Sequence, residues 1–548
     1  MHLSETARQL LKERYLLPGE APEDLFNRVA CHVGGEEART FLSILRDLSF
    51  LPNSPTLMNA GTSVGQLSAC FVLPVGDSME SIFSALSRMA VIHKTGGGTG
   101  FSFSDLRPRG DGVGETGGCA SGPVSFIRVF NEATAAIRQG GRRRGANMAV
   151  LSVFHPDIRE FITAKQMGGL DNFNLSVAMD GSFFRQRRRH DPVPLVNPRD
   201  GSVWRTDDPD EIWRLIGEAV WTSGDPGMLF LDEINRTNTV PGLGRITATN
   251  PCGEVPLLPH ESCNLGSINL GRCVRRGELD EEHLRSVVRL AVDFLDRVID
   301  VNRYPFPEIA DASRRTRKIG LGVMGLAEAL LRMRIPYGSN EGLRWAEGVM
   351  ELIQHEARQQ SHELGEWRGS FPAIGESIFT EEMRNATVTS IAPTGSLHII
   401  ADTTSGIEPL FSLAYRRWIG PRQVPVIHPF VEEILPPTAG GRDVIGHIRK
   451  TGSARDLPLP DEMRDLLLTA GEIPPEHHLR MQAVIQRHVD NSVSKTVNVP
   501  AETGVDEICT LFERAHELGC KGVTVYRYGS KKEQVLSHGC DICRNNGR

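Results

Sequence analysis

From residue 51 to about 400 the chain alternates short β-like runs with amphipathic helical stretches, and this alternation restricts the fold more than any other feature. The runs "SACFVLPV", "GTGFSFSDL", "NMAVLSVF", "NFNLSVAM" and "ATVTSIAPT" read as strands, being apolar, β-branched or aromatic and bounded by turn-forming residues. Between and after them, "SMESIFSALSRMAVIHK", "SFIRVFNEATAAIRQ" and "RSVVRLAVDFLDRVIDV" carry apolar residues at helical spacing. Strands this apolar need cover on both faces, which helices supply, so the pattern predicts an α/β sheet or barrel. No repeat of fixed period divides the region. At roughly 100–200 residues per domain, 548 residues would make three or four units, but large barrels run as one.

The flanks differ. Residues 1–50 read as helices: "SETARQLLKERYL" opens on a Ser cap, and "PEDLFNRVACHV" and "EEARTFLSILRDL" keep helical spacing. This predicts a helical cap too short for a separate ligand-binding domain. The main unit then runs from 51 to 530, with a peripheral insertion around 420–480 where proline, charge and loop signals concentrate. Residues 531–548, "KKEQVLSHGCDICRNNGR", are polar and read as a flexible tail carrying a cysteine pair.

Lys plus Arg number 61 against 68 Asp plus Glu, a formal charge of −7, so no basic excess marks a nucleic-acid binder. A phosphate-bearing ligand needs a local site. The N-terminus has charges throughout and no apolar core segment, and no later run is long enough to span a bilayer, which predicts a cytoplasmic chain without membrane contact. In that compartment the ten cysteines are not expected to form a disulfide framework, and most should be small buried hydrophobes.

Seven motifs bear on chemistry. In "NPCGE", Pro251 and Gly253 force a non-helical turn around Cys252, with Asn250 and Glu254 able to hydrogen-bond and take a proton. Alone, the pentapeptide reads first as a turn with an inward thiol; a thiolate nucleophile and a cysteinyl radical are the other readings. Cys70 in "QLSACFVLPV" and Cys263 in "ESCNLGSINL" each read as buried, and with Cys252 they could form a dithiol on one cavity. "CDIC" (Cys540, Cys543) is a redox pair or half of a zinc site; no other metal site is visible. "IAPTGSLHII" reads as a strand leading to Pro393, Thr394, Gly395 and Ser396 at a helix start, which is either a phosphate cradle or a plain N-cap. "GGGTG" permits close backbone approach without the order of a phosphate loop, and "RQGGRRRGAN" is a solvated basic loop or a nucleotide-reading one.

Taken in order, "SPTLMNAGT", "QLSACFVLP", "KTGGGTGFSFSDLRPRG", "GGRRRGANMAVLSVFHPDI", "GDPGMLFLDEINRTN", "NPCGE", "SCNLGSINL", "IAPTGSLHIIADTTSGIEP" and "SVSKTVNVP" resemble the catalytic chain of ribonucleotide reductases, most closely the adenosylcobalamin-dependent class II form. The resemblance extends from about residue 22 to 530. It implies a ten-stranded α/β barrel of two half-barrels with a finger loop carrying Cys252 to the centre. It implies reduction of ribonucleotides, in particular ribonucleoside diphosphates, to 2′-deoxyribonucleotides for DNA synthesis and repair. By the same comparison Cys252 becomes the thiyl radical that takes the 3′-hydrogen, Glu254 the base for the 3′-hydroxyl and Asn250 its orienting partner. Cys70 and Cys263 become the dithiol that ends as a disulfide.

The substrate would lie on Thr56, the Ala69–Cys70 backbone, Gly98, the Pro251 and Gly253 turn, and Pro393, Thr394, Gly395, Ser396 and Leu397. Asp77, Lys94 and Arg107 match an allosteric site for a deoxynucleoside triphosphate, with Arg142, Arg143 and Arg144 relaying to the substrate. The resemblance further implies a homodimer through the helices at 78–94 and 125–139, and a thioredoxin-like or glutaredoxin-like reductant.

The class rests on what the family's other forms carry. Class I chains import the radical through adjacent tyrosines, whereas "GVTVYRYGS" has Val525 before Tyr526; no glycyl-radical motif is visible. Class II chains need no "DxHxxG" cobalamin signature. Tyr528 departs from the acidic residue common in class II, and the N-terminal segment is too short for an ATP-cone. The competing readings are a class I large subunit that needs a radical-generating partner, and a catalytically silent nucleotide-binding relative.

Overall fold

The computed structural model describes residues 3–114, 117–137, 145–419, 422–435, 442–530 and 536–538. Ten strands hydrogen-bond into one sheet: β1 (Phe50–Pro52), β2 (Cys70–Val72), β3 (Gly98–Ser102), β4 (Asn147–Ser152), β5 (Phe173–Met179), β6 (Gly227–Phe230), β7 (Ser262–Asn269), β8 (Ile319–Met324), β9 (Thr496–Val499) and β10 (Gly522–Arg527). Strands β2 to β6 pair in parallel, one after another. Strand β7 runs parallel to β8, and β9 to β10. The two groups meet antiparallel, β2 on β7 and β10 on β6, while β1 adds to β7.

The segment "ATVTSIAPT" closes the ring. Parallel bridges join Leu321 of β8 to Thr389 and Ile391 to Val493, whose chain continues into β9. The ladder is carried by Leu321 N to Val388 O (2.8 Å), Ser390 N to Leu321 O (3.0 Å) and Ile391 N to Ser492 O (3.1 Å). The result is an α/β barrel of two parallel halves, as the sequence led us to expect.

The strand pattern explains the cores. In β4, Met148 and Val150 point into the barrel beside Cys70, Cys263 and Leu265, whereas Ala149 and Leu151 face outward. Both faces are buried, so the run has no polar alternation to read. Outside lie α5 (Met79–Lys94) and α6 (Pro123–Ala136), which follow α1 (Glu5–Arg14), α2 (Pro22–Gly34), α3 (Ala38–Arg46) and α4 (Ser54–Asn59). Ile82, Ala85, Met89 and Ile92 of α5 and Ile127 and Phe130 of α6 pack on the outward residues of β3 and β4. Over the other half, α7 (Glu281–Val301) buries Leu284, Val288, Ala291, Leu295 and Val298 with α1 to α3 and with α8 (Asn340–Arg368).

Two expectations change in detail. The predicted helix after "IAPT" is one turn, Leu397–Ile400, and Ser396 supplies no capping bond. The region near 420–480 has its own small core, with Leu413, Phe430, Val431, Ile448 and Leu457 packed together. Its hairpin, Ala414–Ile419 with Arg422–Ile427, takes Leu536–His538 as a third strand. Cys540 and Cys543 lie outside the described residues.

Barrel closure depends on a bare backbone in β8. A Cβ on Gly322 would sit 2.2 Å from Ser390 O, inside any contact distance. Gly322→Ala is expected to lower stability by about 1–3 kcal/mol, read as a shift of the denaturant midpoint at unchanged slope.

Candidate active site

Cys252 sits at the tip of a loop between two short strands, Ala248–Thr249 and Pro256–Leu257. Gly253, at φ +82°, makes the turn that an L side chain would strain. The loop neck is fixed by Asn250: its Oδ1 accepts from Val255 N (3.0 Å), its backbone O from Gly253 N (3.1 Å). Asn174 Nδ2 on β5 donates to Pro251 O (2.8 Å), and Ser390 Oγ and Ser492 N both donate to Glu254 O (2.9 Å each). The loop is thus bonded to the first half-barrel on one side and to the closing segment on the other.

Strand β3 lies directly beneath. A Cβ on Gly100 would come 1.7 Å from Thr249 O, and one on Gly98 2.9 Å from Pro251 Cγ. This is the use of "GGGTG": it lets the loop cross the strand, and holds no phosphate by itself.

Cys252 is exposed to a cavity of about 530 Å³ whose wall also includes Cys70, Asn250, Glu254 and Gly98. Asn250 Nδ2 donates to Cys70 Sγ (3.1 Å), which ties the loop to the wall thiol. Cys263 faces Cys70 across the β2–β7 pair. Directly opposed residues place their Cβ atoms about 4.5–5.5 Å apart, slightly beyond the disulfide range, so a small shift joins them. Cys263 lies beside Cys70 on the adjoining strand, is not among the residues lining the cavity, and is 1% exposed. Burial pushes its thiol well above the usual range, with Lys318 opposing and Glu261 and Glu254 adding, so it stays protonated at neutral pH. Glu254 is 3% exposed and on the cavity wall.

The far end of the cavity is formed by Pro393, Thr394, Gly395, Ser396 and Leu397, and by Asn53 and Ser54 at the start of α4. Thr394 has φ +46°, which turns the segment sharply. Its hydroxyl accepts from Gly406 N (2.9 Å). In the turn that follows, the His398 and Ile400 N–H groups are bonded to Thr394 O (3.1 Å) and Ser396 O (3.2 Å), and those of Gly395, Ser396 and Leu397 at its start can serve an anion.

Several expected residues are placed differently. Thr56 is fully buried, its hydroxyl bonded to Leu67 O (3.0 Å) and Asn53 Oδ1 (3.1 Å), and it does not reach the cavity; Asn53 and Ser54 do. Ala69 lines the cavity, but its N–H is spent on Cys263 O (3.2 Å) and cannot hold a phosphate. Asp77 and Arg107 meet in an ion pair (2.8 Å), and Arg107 also donates to Gly112 O (3.1 Å). Lys94 ends α5, which starts two residues after Asp77, so about 22 Å of helix separates them and one ligand in one chain cannot touch all three. Arg142, Arg143 and Arg144 lie outside the described residues.

Other contributors have weak sequence signals. The "NSP" of "LPNSPTL" reads as a helix cap, and only the fold turns Asn53 and Ser54 toward a cavity. Cys252 also borders a second space of about 210 Å³ with Lys495, Thr496 and Thr524. That space shares Gly224, Thr496 and Thr524 with a third of about 500 Å³, walled by Glu408, Leu410, Phe411, Tyr415, Tyr526 and Tyr528 among others. Fully buried Lys495 donates to Glu408 Oε2 (2.6 Å) and His478 Nδ1 (3.0 Å), bracing the wall between the two.

Two parallel half-barrels that meet antiparallel and close around an inward cysteine loop define a class, the α/β barrels with a central thiol. Comparison with known proteins narrows it. Residues 68–382 and 372–526 match the family model "Ribonucleotide reductase, barrel domain", and residues 1–65 match "Ribonucleotide reductase, all-alpha domain". The chain belongs to the ribonucleotide reductase family.

Among its relatives is the vitamin B12-dependent ribonucleoside-diphosphate reductase of Mycobacterium tuberculosis, 50% identical over 561 residues that cover 98% of this chain and 80% of the relative. That of Thermoplasma acidophilum is 48% identical over 513 residues, 92% and 67% of the two chains. The fold also matches a solved structure, the class Id ribonucleotide reductase alpha subunit of Actinobacillus ureae. The TM-score is 0.82 at 23% identity, covering 96% of this chain and 97% of the other.

The crossing at Gly100 gives a direct test of loop placement. Gly100→Ala must push Thr249 and the thiol loop away from β3, so turnover should fall at least about a hundredfold, the scale expected of a displacement near 1 Å. Nucleotide affinity, measured by equilibrium dialysis, should change far less because the end at Pro393 to Leu397 is untouched.

Proposed function

We propose that the chain reduces ribonucleoside diphosphates to 2′-deoxyribonucleoside diphosphates by thiyl-radical chemistry, with adenosylcobalamin as cofactor. The observation that carries this reading is the convergence of Cys252 and Cys70 on one cavity, with Cys263 directly opposite Cys70 on the adjoining strand.

Bound adenosylcobalamin would supply the radical that converts the Cys252 thiol to a thiyl. The aromatic wall of the 500 Å³ space, Phe411, Tyr415, Tyr526 and Tyr528, with Glu408 and His398 as polar contacts, suits an adenosyl group, and the adjoining space leads to Cys252. All other roles belong to the chain. Cys252 takes the 3′-hydrogen of the ribose and returns it at the end. Glu254, buried at the cavity wall, accepts the 3′-hydroxyl proton, which assists loss of the 2′-hydroxyl as water. Asn250 holds the loop neck and Cys70 together and has one amide hydrogen left for the ribose. Cys70 and Cys263 give up two electrons and two protons, one proton leaving with the water and one hydrogen replacing the 2′-hydroxyl, and end as a disulfide. A thioredoxin-like or glutaredoxin-like dithiol then restores them, with Cys540 and Cys543 as the relay.

Effector control fits the Asp77–Arg107 pair, where a deoxynucleoside triphosphate would dock in a dimer whose second copy brings its own cations. α5 supports the dimer: Met79, Phe83 and Val91 are exposed at helical spacing on the face opposite its buried residues. Asp77 stands at the start of that helix. No helix among the described residues is long and apolar enough to cross a membrane.

Two measurements test the reading. Cys252→Ser should cut deoxynucleotide production by more than about a thousandfold while CDP binding persists, and retained turnover without Cys252 would overturn it. Phe83→Asp should convert the dimer to monomer in analytical ultracentrifugation and weaken effector response, leaving the unfolding midpoint of the barrel within about 1 kcal/mol of the parent.

A further inference from the structure

Helix α1 is bonded across the phosphate end of the cavity. At its start Ser4 donates from its N to Asp402 Oδ2 (3.0 Å) and from its Oγ to Asp402 Oδ1 (2.5 Å). At its close fully buried Tyr15 sets its hydroxyl between Ser54 Oγ (2.8 Å) and Ser396 Oγ. Both serines line the cavity at the Pro393–Leu397 end, where the turn can serve an anion. The N-terminal segment is therefore part of the site as well as a cap.

Next to Tyr15, Arg14 lines the same cavity and is the one Lys or Arg among the described lining residues, which also include the carboxylates of Glu13 and Glu254. Arg14 is exposed, and no hydrogen bond or ion pair among the described residues occupies it. Asn53 adds an independent sign. Its Oδ1 accepts from Thr56 N (3.0 Å) and Thr56 Oγ1 (3.1 Å), which fixes the amide orientation. Its Nδ2 is then left buried without an acceptor, although Asn53 is 5% exposed and lines the cavity. A buried donor without an acceptor is costly unless a ligand completes it. A diphosphate brought beside two carboxylates also needs a counter-charge, because like charges in a desolvated cavity repel strongly.

We infer that Arg14 and Asn53 bind the terminal phosphate of the substrate, and that the N-terminal helix thereby sets the preference for a diphosphate over a monophosphate. This rests on the reading of the cavity as the ribonucleotide site. Arg14 supplies charge and paired N–H donors, Asn53 Nδ2 a fixed donor, and the Tyr15 hydroxyl keeps α1 registered on Ser396 and Ser54.

The test compares full-length parent, Arg14→Gln, Arg14→Lys and Asn53→Asp. Titration calorimetry with CDP and CMP is the direct readout, and CDP reduction with adenosylcobalamin and a dithiol the second. The parent should bind CDP more tightly than CMP. Arg14→Gln should weaken CDP about ten- to a hundredfold and CMP little, closing the gap, and Arg14→Lys should restore part of it. KM for CDP should rise in step, with kcat at saturation changing by less than about threefold. Asn53→Asp keeps an acceptor for Thr56 but loses the donor, and should also narrow the CDP preference; unchanged CMP binding shows that the fold is intact. Unchanged CDP affinity and KM in Arg14→Gln would overturn the inference. A parent that binds CDP over CMP without reducing it would instead overturn the proposed activity and leave the phosphate subsite standing.

Discussion

The site depends on one steric constraint: a loop has to pass over β3 with no side chain beneath it. Gly100 meets Thr249 O and Gly98 meets Pro251 at distances that leave no room for a methyl group. Every other feature of the thiol follows from that crossing. The loop neck can be bonded through Asn250, Asn174 and Ser390 only once it lies inside the ring. Cys252 then borders two spaces at once, one with the Cys70 wall and one leading toward the aromatic cavity. A residue with a Cβ at position 98 or 100 would hold the loop off and move Cys252 away from the Cys70 wall.

The two parallel half-barrels serve that loop in different ways. The first contributes Cys70, Gly98 and Asn174 from β2, β3 and β5; the second contributes Cys263 from β7 and the closing segment at 388–391. Their antiparallel junction at β2 and β7 is where the two wall cysteines oppose each other, so the redox pair is a consequence of barrel topology. Reactivity is then divided by solvent access. Cys252 and Cys70 face a cavity, whereas Cys263 is held as a thiol by burial until its partner is oxidised.

Strand and helix placement was largely legible because apolar period and turn chemistry are local. "NMAVLSVF", "NFNLSVAM", α5, α6 and α7 fall where the periodicity put them. Even "ATVTSIAPT", too sparsely bonded to count as a regular strand, lies in the ladder as read. Where expected residues stand apart from the cavity, from a free N–H or from one another, the differences share a cause. The resemblance implies Thr56 as a substrate contact, but in α4 its hydroxyl points back to Leu67 O and Asn53. Ala69 was chosen for its N–H, which the antiparallel partner already uses. The resemblance groups Lys94 with Asp77 and Arg107, but within one chain a helix of 16 residues holds it away from them. In each case the residue type was compatible with the chemistry and the partner that excluded it was distant in sequence.

The sequence by itself determined the secondary elements, the thiol-bearing turn and the cysteines able to exchange electrons, because glycine, proline and apolar spacing act within a few residues of themselves. Tertiary structure decided which of those groups share a space. Tyr15 meets Ser396 across 381 positions and Asn250 meets Cys70 across 180, contacts that exist only after the barrel closes and the N-terminal helix docks. Hydrogen-bond satisfaction made the final selection: it kept Thr56 out of the cavity, occupied the Ala69 N–H and left the Asn53 amide at the cavity wall.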